Sequence, residues 1–409
     1  MKHFLMLLLL LTSIVVAGCD ETGGSVPLSE FVERNLAQLG SVPAEILIRG
    51  DRAYVINGFS DNIQVFDLND GLPFEIGTIV VPPGSNPIGM DFVDDTFAYV
   101  ANNSGQSVAK VNIQTRQCVT LIVGAGFVGN TQPCQSVITV AGNPFEEPSG
   151  VAVANNKVYI SNNNLNEFFS PIGNGFITIL NADTSQVIKS IPATGANSSS
   201  MVVDGNIIYL LNNGNVLFDF ETSEFTCDTS FPPSIDTINI QTDVIINTLD
   251  IPLSEENPLV CLPNELTTTP DGRFGYMGLG LVGALLKVDL FTDTVVRGTD
   301  DPIFVTAPED FNNTADIAIR GNQLFTTLFN SDQIAVVNTD NEQVNPFPYF
   351  APFPAGIRAF DPNSILFDGV QSLAIRPGIP GLDFLGPDIF FITGISEQLG
   401  SVDSTLETE

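Results

Sequence analysis

Beyond residue 30, apolar residues fall in runs of four to six, alternating or continuous and rich in β-branched side chains, and the runs are broken by Gly, Asn and Asp. This is the pattern of strands joined by tight turns; no helical period is sustained in that stretch. The runs repeat as a unit. Its first strand reads EILI at 45, GMDFV at 89, GVAV at 150, SMVV at 200, ELTT at 265, DIAI at 316 and SLAI at 372. Turn residues follow (RGD, VDD, ANN, DGN, PDG or RGN), each compatible with a hairpin that needs positive φ. The second strand carries an aromatic residue and tends to end in Asn or Gly, as in YVANN, YISNN and YLLNN, and the third is typified by IQVFD, AKVN, ITILN, LKVD and IAVVN.

The interval inside the unit is regular. Tyr54 precedes Asp67 by 13 residues, and the same spacing joins Tyr99 to Asn112, Tyr276 to Asp289, Phe325 to Asn338 and Phe390 to Asp403. Two further copies, Tyr159 to Asn181 and Tyr209 to Asp219, change the loop between the halves. Seven copies of one small β unit predict an all-β chain folded as a seven-bladed β-propeller over residues 31–409. The last copy supplies a third strand and then ends, while Asn35 to Val42 precede the first unit without a hairpin partner. Those residues are expected to complete the last blade as its fourth strand, which hides two sheet edges. Insertions at 123–147, 165–173, 223–262 and 345–354 depart from a minimal repeat and are the expected carriers of any specific binding.

The amino terminus has a different character. Lys2 and a nearly wholly apolar run from Phe4 to Ala17 have the layout of an export signal. The run ends in VAGC, Val16 to Cys19, which resembles the lipobox of bacterial lipoproteins. The resemblance implies a signal peptide over residues 1–18, acylation of Cys19 and a lipidated tether over 19–30. Acyl chains contribute ~0.8 kcal/mol per buried methylene, so a multiply acylated cysteine is a stable anchor. The expected location is therefore the bacterial cell envelope, periplasmic or cell-surface, with membrane contact through the lipid alone.

Charge and cysteine content refine this picture. The chain has 47 acidic against 14 basic side chains and a net charge of −33, a surface that repels phosphate backbones, so nucleic acid is not an expected partner. Apart from Cys19 there are four cysteines, Cys118, Cys134, Cys227 and Cys261, an even number suited to an oxidising compartment. Three pairings are open to them. The local one, Cys118 with Cys134 and Cys227 with Cys261, staples each long insertion to its own blade, and each closure is worth roughly 2 to 4 kcal/mol.

YVANN followed by the VNIQT turn, with ILNADTSQVI and VDLFTDTVV, resembles the repeats of YVTN-type propellers. That resemblance implies the fold and leaves the activity open, because such repeats occur in binding proteins, surface-layer components and a few enzymes. Elimination narrows the chemistry. The single histidine, His3, leaves with the signal, which removes Ser/His/Asp and Cys/His catalysis and histidine-ligated metals; there is no tryptophan and no Gly-rich phosphate loop. Carboxylates, amides, hydroxyls and a few arginines remain. Aligning the repeats places Glu45, Gly89, Gly150, Ser200, Glu265, Asp316 and Ser372 at one position, at the mouth of the central channel. Glu45, Glu265 and Asp316 are the candidate metal ligands there, and Ca²⁺ is the cofactor that such a set would suit. Gluconolactonase-type propellers are similar in drawing acidic ligands from blade starts, which implies a metal that polarises a lactone carbonyl. Two readings result: a binding or scaffolding propeller for an envelope protein or polymer, and a Ca²⁺-dependent lactonase or related hydrolase. Replacing Glu265 and Asp316 with alanine abolishes activity under the second and leaves partner binding intact under the first.

Overall fold

The computed structural model describes residues 32–402 apart from 70–72, 167–169, 220–223, 256, 258, 308–311, 332, 346–348, 351–369, 377–388 and 394–397. The signal, Cys19 and the tether lie outside the described residues, as do Asp403 and most of the insertion at 345–354.

Seven antiparallel sheets, each with its first strand innermost, make a propeller. The inner strands are Pro43–Arg49, Pro87–Phe92, Pro148–Ala154, Ser198–Asp204, Pro263–Thr268, Thr314–Arg320 and Val370–Ile375. Each touches the next, and the seventh touches the first, so they close a ring around the axis. Every one pairs with its second strand through a register shift in its first half, from Pro43/Glu45 in blade 1 to Val370/Ser372 in blade 7. Bulges of this kind bend a strand and re-aim its side chains, here beside the aligned position.

Ring closure follows the expected scheme, a few residues earlier than the sequence suggested. Val32–Gln38 pairs antiparallel with Gln398–Val402 as the outer strand of blade 7, with Val32 opposite Val402 and Gln38 opposite Gln398. Blade 7 is thus built from both ends of the chain.

The recurring aromatic and the recurring Asn or Asp belong to one device. In six blades the Asx closes the third strand opposite the residue two before the aromatic, as in Arg52 with Asp67, Phe97 with Asn112, Lys157 with Asn181, and Phe274 with Asp289. In blade 4 this residue is Asn239. Asp219, which the spacing assigned to that role, instead pairs with Glu224 in a separate two-stranded hairpin. The hairpin is inserted before the true third strand, Ser234–Asn239, and carries a strand-like VLFD that imitates it.

The Asx side chain accepts from backbone N–H groups two and three residues on. Asn181 Oδ1 takes Asp183 and Thr184 at 3.1 and 2.8 Å, and Asn112, Asn239, Asp289 and Asn338 do the same in their blades. Four residues after the Asx, the chain takes positive φ at Arg116, Ser185, Asp243, Asp293 and Glu342. The turn so formed offers a carbonyl to the preceding blade. Tyr99 donates to the Ala182 carbonyl at 3.0 Å, Tyr159 to that of Ile240 at 3.3 Å, and Tyr276 to that of Thr339 at 3.3 Å. The positive-φ residue joins in: Ser185 Oγ meets Tyr99 Oη at 2.7 Å, and Asp243 Oδ1 accepts from Tyr159 Oη and Lys157 Nζ, each at 2.6 Å. Glu342 accepts from Lys287 at 2.9 Å, across the same junction as Tyr276.

Because each sheet is antiparallel, connections between first and second and between third and fourth strands share one end of the ring. They are mostly short turns, such as Gly50–Asp51, Asn155–Asn156 and Gly205–Asn206. The opposite end carries the remaining connections and receives the inserted hairpin Val216–Cys227, the segment 125–147 and residues 251–262. Both disulfides form with the local pairing: Cys227–Cys261 at this end, and Cys118–Cys134 at the other end of blade 2, where Cys118 opens the fourth strand just after the Asx turn. Residues of the first insertion return as Ser136–Val140, a fifth strand parallel to Gln117–Gly124 that covers the outer edge of blade 2.

Removing a latch measures its worth. Tyr159→Phe should lower the unfolding free energy by about 0.5–1.5 kcal/mol, and Asp243→Ala, which strips Lys157 of its partner as well, by about 1–3 kcal/mol in denaturant titrations. Deleting residues 32–38 should cost more than either, because it bares the edge of Gln398–Val402.

Candidate channel site

The aligned residues line the central ring, where each first strand meets its neighbour. Glu45, Glu265 and Asp316 are half-buried on this wall, while Ser200 and Ser372 are buried, 7% and 2% exposed. Gly89 and Gly150 are required by close approach. A Cβ on Gly89 would lie 2.1 Å from the Ser149 carbonyl oxygen, and one on Gly150 would lie 2.0 Å from that of Ser199.

The polar members are used between blades. Ser372 Oγ donates to Asp316 Oδ2 at 2.5 Å, and the Leu373 N–H donates to the same oxygen at 3.0 Å. Ser372 in turn accepts the Ile46 N–H at 3.3 Å, which seals the last blade to the first. Ser200 Oγ donates to Glu265 Oε1 at 2.5 Å and accepts the Leu266 N–H at 3.3 Å. Glu45 accepts the Met90 N–H of blade 2. Between blades 3 and 4, where the aligned residue is glycine, Ser161 Oγ donates to the Ser199 carbonyl at 2.6 Å.

A fourth carboxylate escaped the sequence alignment. Asp91 accepts the Val153 N–H at 2.7 Å through Oδ2 and the Phe92 N–H at 2.7 Å through Oδ1. It stands two residues beyond Gly89, and the two-residue period of a strand was the signal that could have located it on the same face.

Burial dominates the electrostatics of this wall. Desolvation raises the Glu45 carboxyl well above its ordinary range, and the charges of Glu265, Asp316 and Asp91 add to the shift. Glu265 is pushed up to about 8, by desolvation first and Asp316 second. Asp316 and Asp91 are raised by desolvation, against the hydrogen bonds that they accept. Glu45 Oε2 is buried with no hydrogen-bond partner among the described residues.

The three sequence-derived candidates therefore reach one wall and feel one another, but no group of three or more His, Cys, Asp or Glu among the described residues is gathered closely enough to hold a metal ion. They come from blades 1, 5 and 6; Asp316 Oδ2 and Glu265 Oε1 accept from blades 7 and 4, and Glu45 Oε2 has no partner among the described residues.

No family model and no curated protein matches the chain. Solved structures do. Hydrazine synthase of Kuenenia stuttgartiensis superimposes with a TM-score of 0.59 at 13% identity, covering 95% of this chain and 100% of that one. A catalytically inactive virginiamycin B lyase from Staphylococcus aureus with quinupristin gives 0.59 at 12% identity over 91% and 98%. A computationally designed protein gives 0.53 at 11% identity over 90% and 99%. At these identities the likeness shows the fold alone.

The raised carboxyls carry a pH signature with a definite sign. A group held above its unfolded value contributes stability below that value and loses it as the pH climbs through the folded one. For Glu265 the window runs from 4.5 to about 8. Thermal unfolding should accordingly give a Tm that falls across this window. Glu265→Gln, which keeps the acceptor for Ser200, should flatten the fall and be the more stable protein at its upper end.

Proposed function

We propose that the protein is an exported, lipid-anchored recognition propeller, held at the bacterial envelope through Cys19 and engaging a protein or polymer partner with its inserted-loop end. The observation that carries this reading is the asymmetry of the ring. Three insertions, at 125–147, 213–233 and 251–262, emerge at one end, whereas the connection from Asn338 to Tyr349 belongs to the other; Cys118–Cys134 ties the first to blade 2, and Cys227–Cys261 ties the second to the third. Loops are where scaffolds place recognition, and ordering them before binding lowers the entropy lost on association. The disulfides fit an oxidising, non-cytoplasmic compartment. Exposed apolar side chains are present at this end, Val128 on the first insertion and Leu217 on the hairpin. The hydrolase alternative has less support, since its proposed ligands serve as acceptors between blades.

Two experiments test the proposal. Cys19→Ser should move the protein from the membrane fraction to the soluble one in the producing bacterium, with no loss of folding. A photo-crosslinking residue at Val128 or Leu217 should yield a discrete adduct in intact cells, and one at Gln241, on the short-turn end, should not. Equal adducts from both ends would remove the basis for the proposal.

A further inference from the structure

Next to the first insertion lies a cleft of about 440 Å³, walled by the linker between blades 1 and 2, the second turn of blade 2 and the loop from Gly124 to Asn130. It falls within the ~300–1,000 Å³ of ligand clefts. No charged side chain lines it, in a protein of net charge −33. Its walls are hydroxyls, amides, glycine backbone and one aromatic ring, that of Phe127.

Several features fit this cleft to a ligand. Ser85 is 2% exposed, lines the cleft, and its hydroxyl has no partner among the described residues. The Gln106 side chain stands exposed at the edge, also without a partner among them, on a turn that its own N–H closes to the Asn103 carbonyl at 3.2 Å with a φ of 43°. Asn143 Nδ2 is occupied by Glu146 at 3.1 Å, which leaves its carbonyl as an acceptor.

The ring of Phe127 is held in place from two sides. One side packs on the core cluster that contains Cys118, Leu121, Val123 and Cys134, so the disulfide and the ring share one support. On another side the ring tip lies over Gly129, where an added Cβ would come within 2.4 Å of Phe127 Cζ. Val128 beside it is 98% exposed.

We infer that this cleft binds a short uncharged oligosaccharide, with Phe127 as the platform for a sugar ring and Ser85, Gln106 and Asn143 as hydroxyl partners. A sugar offers apolar C–H faces to an aromatic ring and hydroxyls that both donate and accept, which is the chemistry that these walls present. Anionic glycans are repelled by the surrounding field, and a cationic ligand finds no carboxylate in the cleft. The inference rests on the recognition role of the inserted-loop end and names one class of ligand for it.

The test uses the purified, signal-free protein with maltotriose, cellotriose, chitotriose and mannotriose as probes and trigalacturonate as the charged comparator, followed by calorimetry. At least one neutral trisaccharide should bind saturably, and trigalacturonate should not. Phe127→Leu keeps an apolar side chain on the core and removes the aromatic face, and Gly129→Ala displaces the ring from an exposed position. Each should weaken binding about tenfold or more with the Tm little changed. Silence of all four neutral probes at about 10 mM would overturn the inference, as would stronger binding of trigalacturonate or affinity indifferent to both variants. The photo-crosslinks from Val128 and Leu217 separate the two levels. If they form while the sugars are silent, the recognition end stands and the oligosaccharide assignment falls.

Discussion

The ring depends on the junctions between successive blades, and at three of them, among the described residues, a buried tyrosine on one second strand reaches an Asx-stabilised turn on the following blade. A sheet of four strands with two apolar faces is not stable alone, so every blade must be fixed against its neighbours. Apolar packing supplies most of that affinity but little orientation. Tyr99, Tyr159 and Tyr276 add direction, because each hydroxyl meets a carbonyl whose position is set by the turn after Asn181, Asn239 or Asn338. The turn must include a residue at positive φ, and Ser185, Asp243 and Glu342 do so while lending their side chains to the same contact. One short motif thus serves hairpin closure and blade registration together.

A second girdle operates along the axis, with different chemistry. There the aligned residues alternate between carboxyl, serine and glycine, according to how near the neighbouring strand comes. Gly89 and Gly150 admit a carbonyl oxygen where no side chain fits, and Asp316 and Glu265 reach backbone or serine donors where there is room. Burial raises both carboxyls above their ordinary range, Glu265 to about 8, while each accepts a hydrogen bond across a blade junction. The wall is consequently a structural seam that titrates.

With the latches concentrated at the short-turn end, the opposite end is free to vary. Among the described residues the tyrosine hydroxyls meet none of its connections, so the chain can lengthen there at small cost in closure entropy, and Cys227–Cys261 then holds two of the added segments together. The cleft beside Phe127 is a product of that freedom, because its walls come from three successive connections at this end.

Strand content, the sevenfold repeat, the closure by an amino-terminal strand and the local pairing of Cys118 with Cys134 and Cys227 with Cys261 were all legible in the chain, because period, turn chemistry and loop length are local quantities. Asp219 was misassigned for the same reason: VLFD has the local form of a third strand, and only pairing with Ile207–Asn212 singles out Ser234–Asn239. The sequence could align Glu45, Glu265 and Asp316 on one wall but could not aim their oxygens, since that depends on which neighbouring N–H or hydroxyl lies within reach. Asp91, the Ser85 hydroxyl in the cleft and the ring of Phe127 over Gly129 became meaningful only once the blades were assembled. Periodicity along the chain determined what the blades are; contacts between them, which no local pattern encodes, decided what the surfaces can bind.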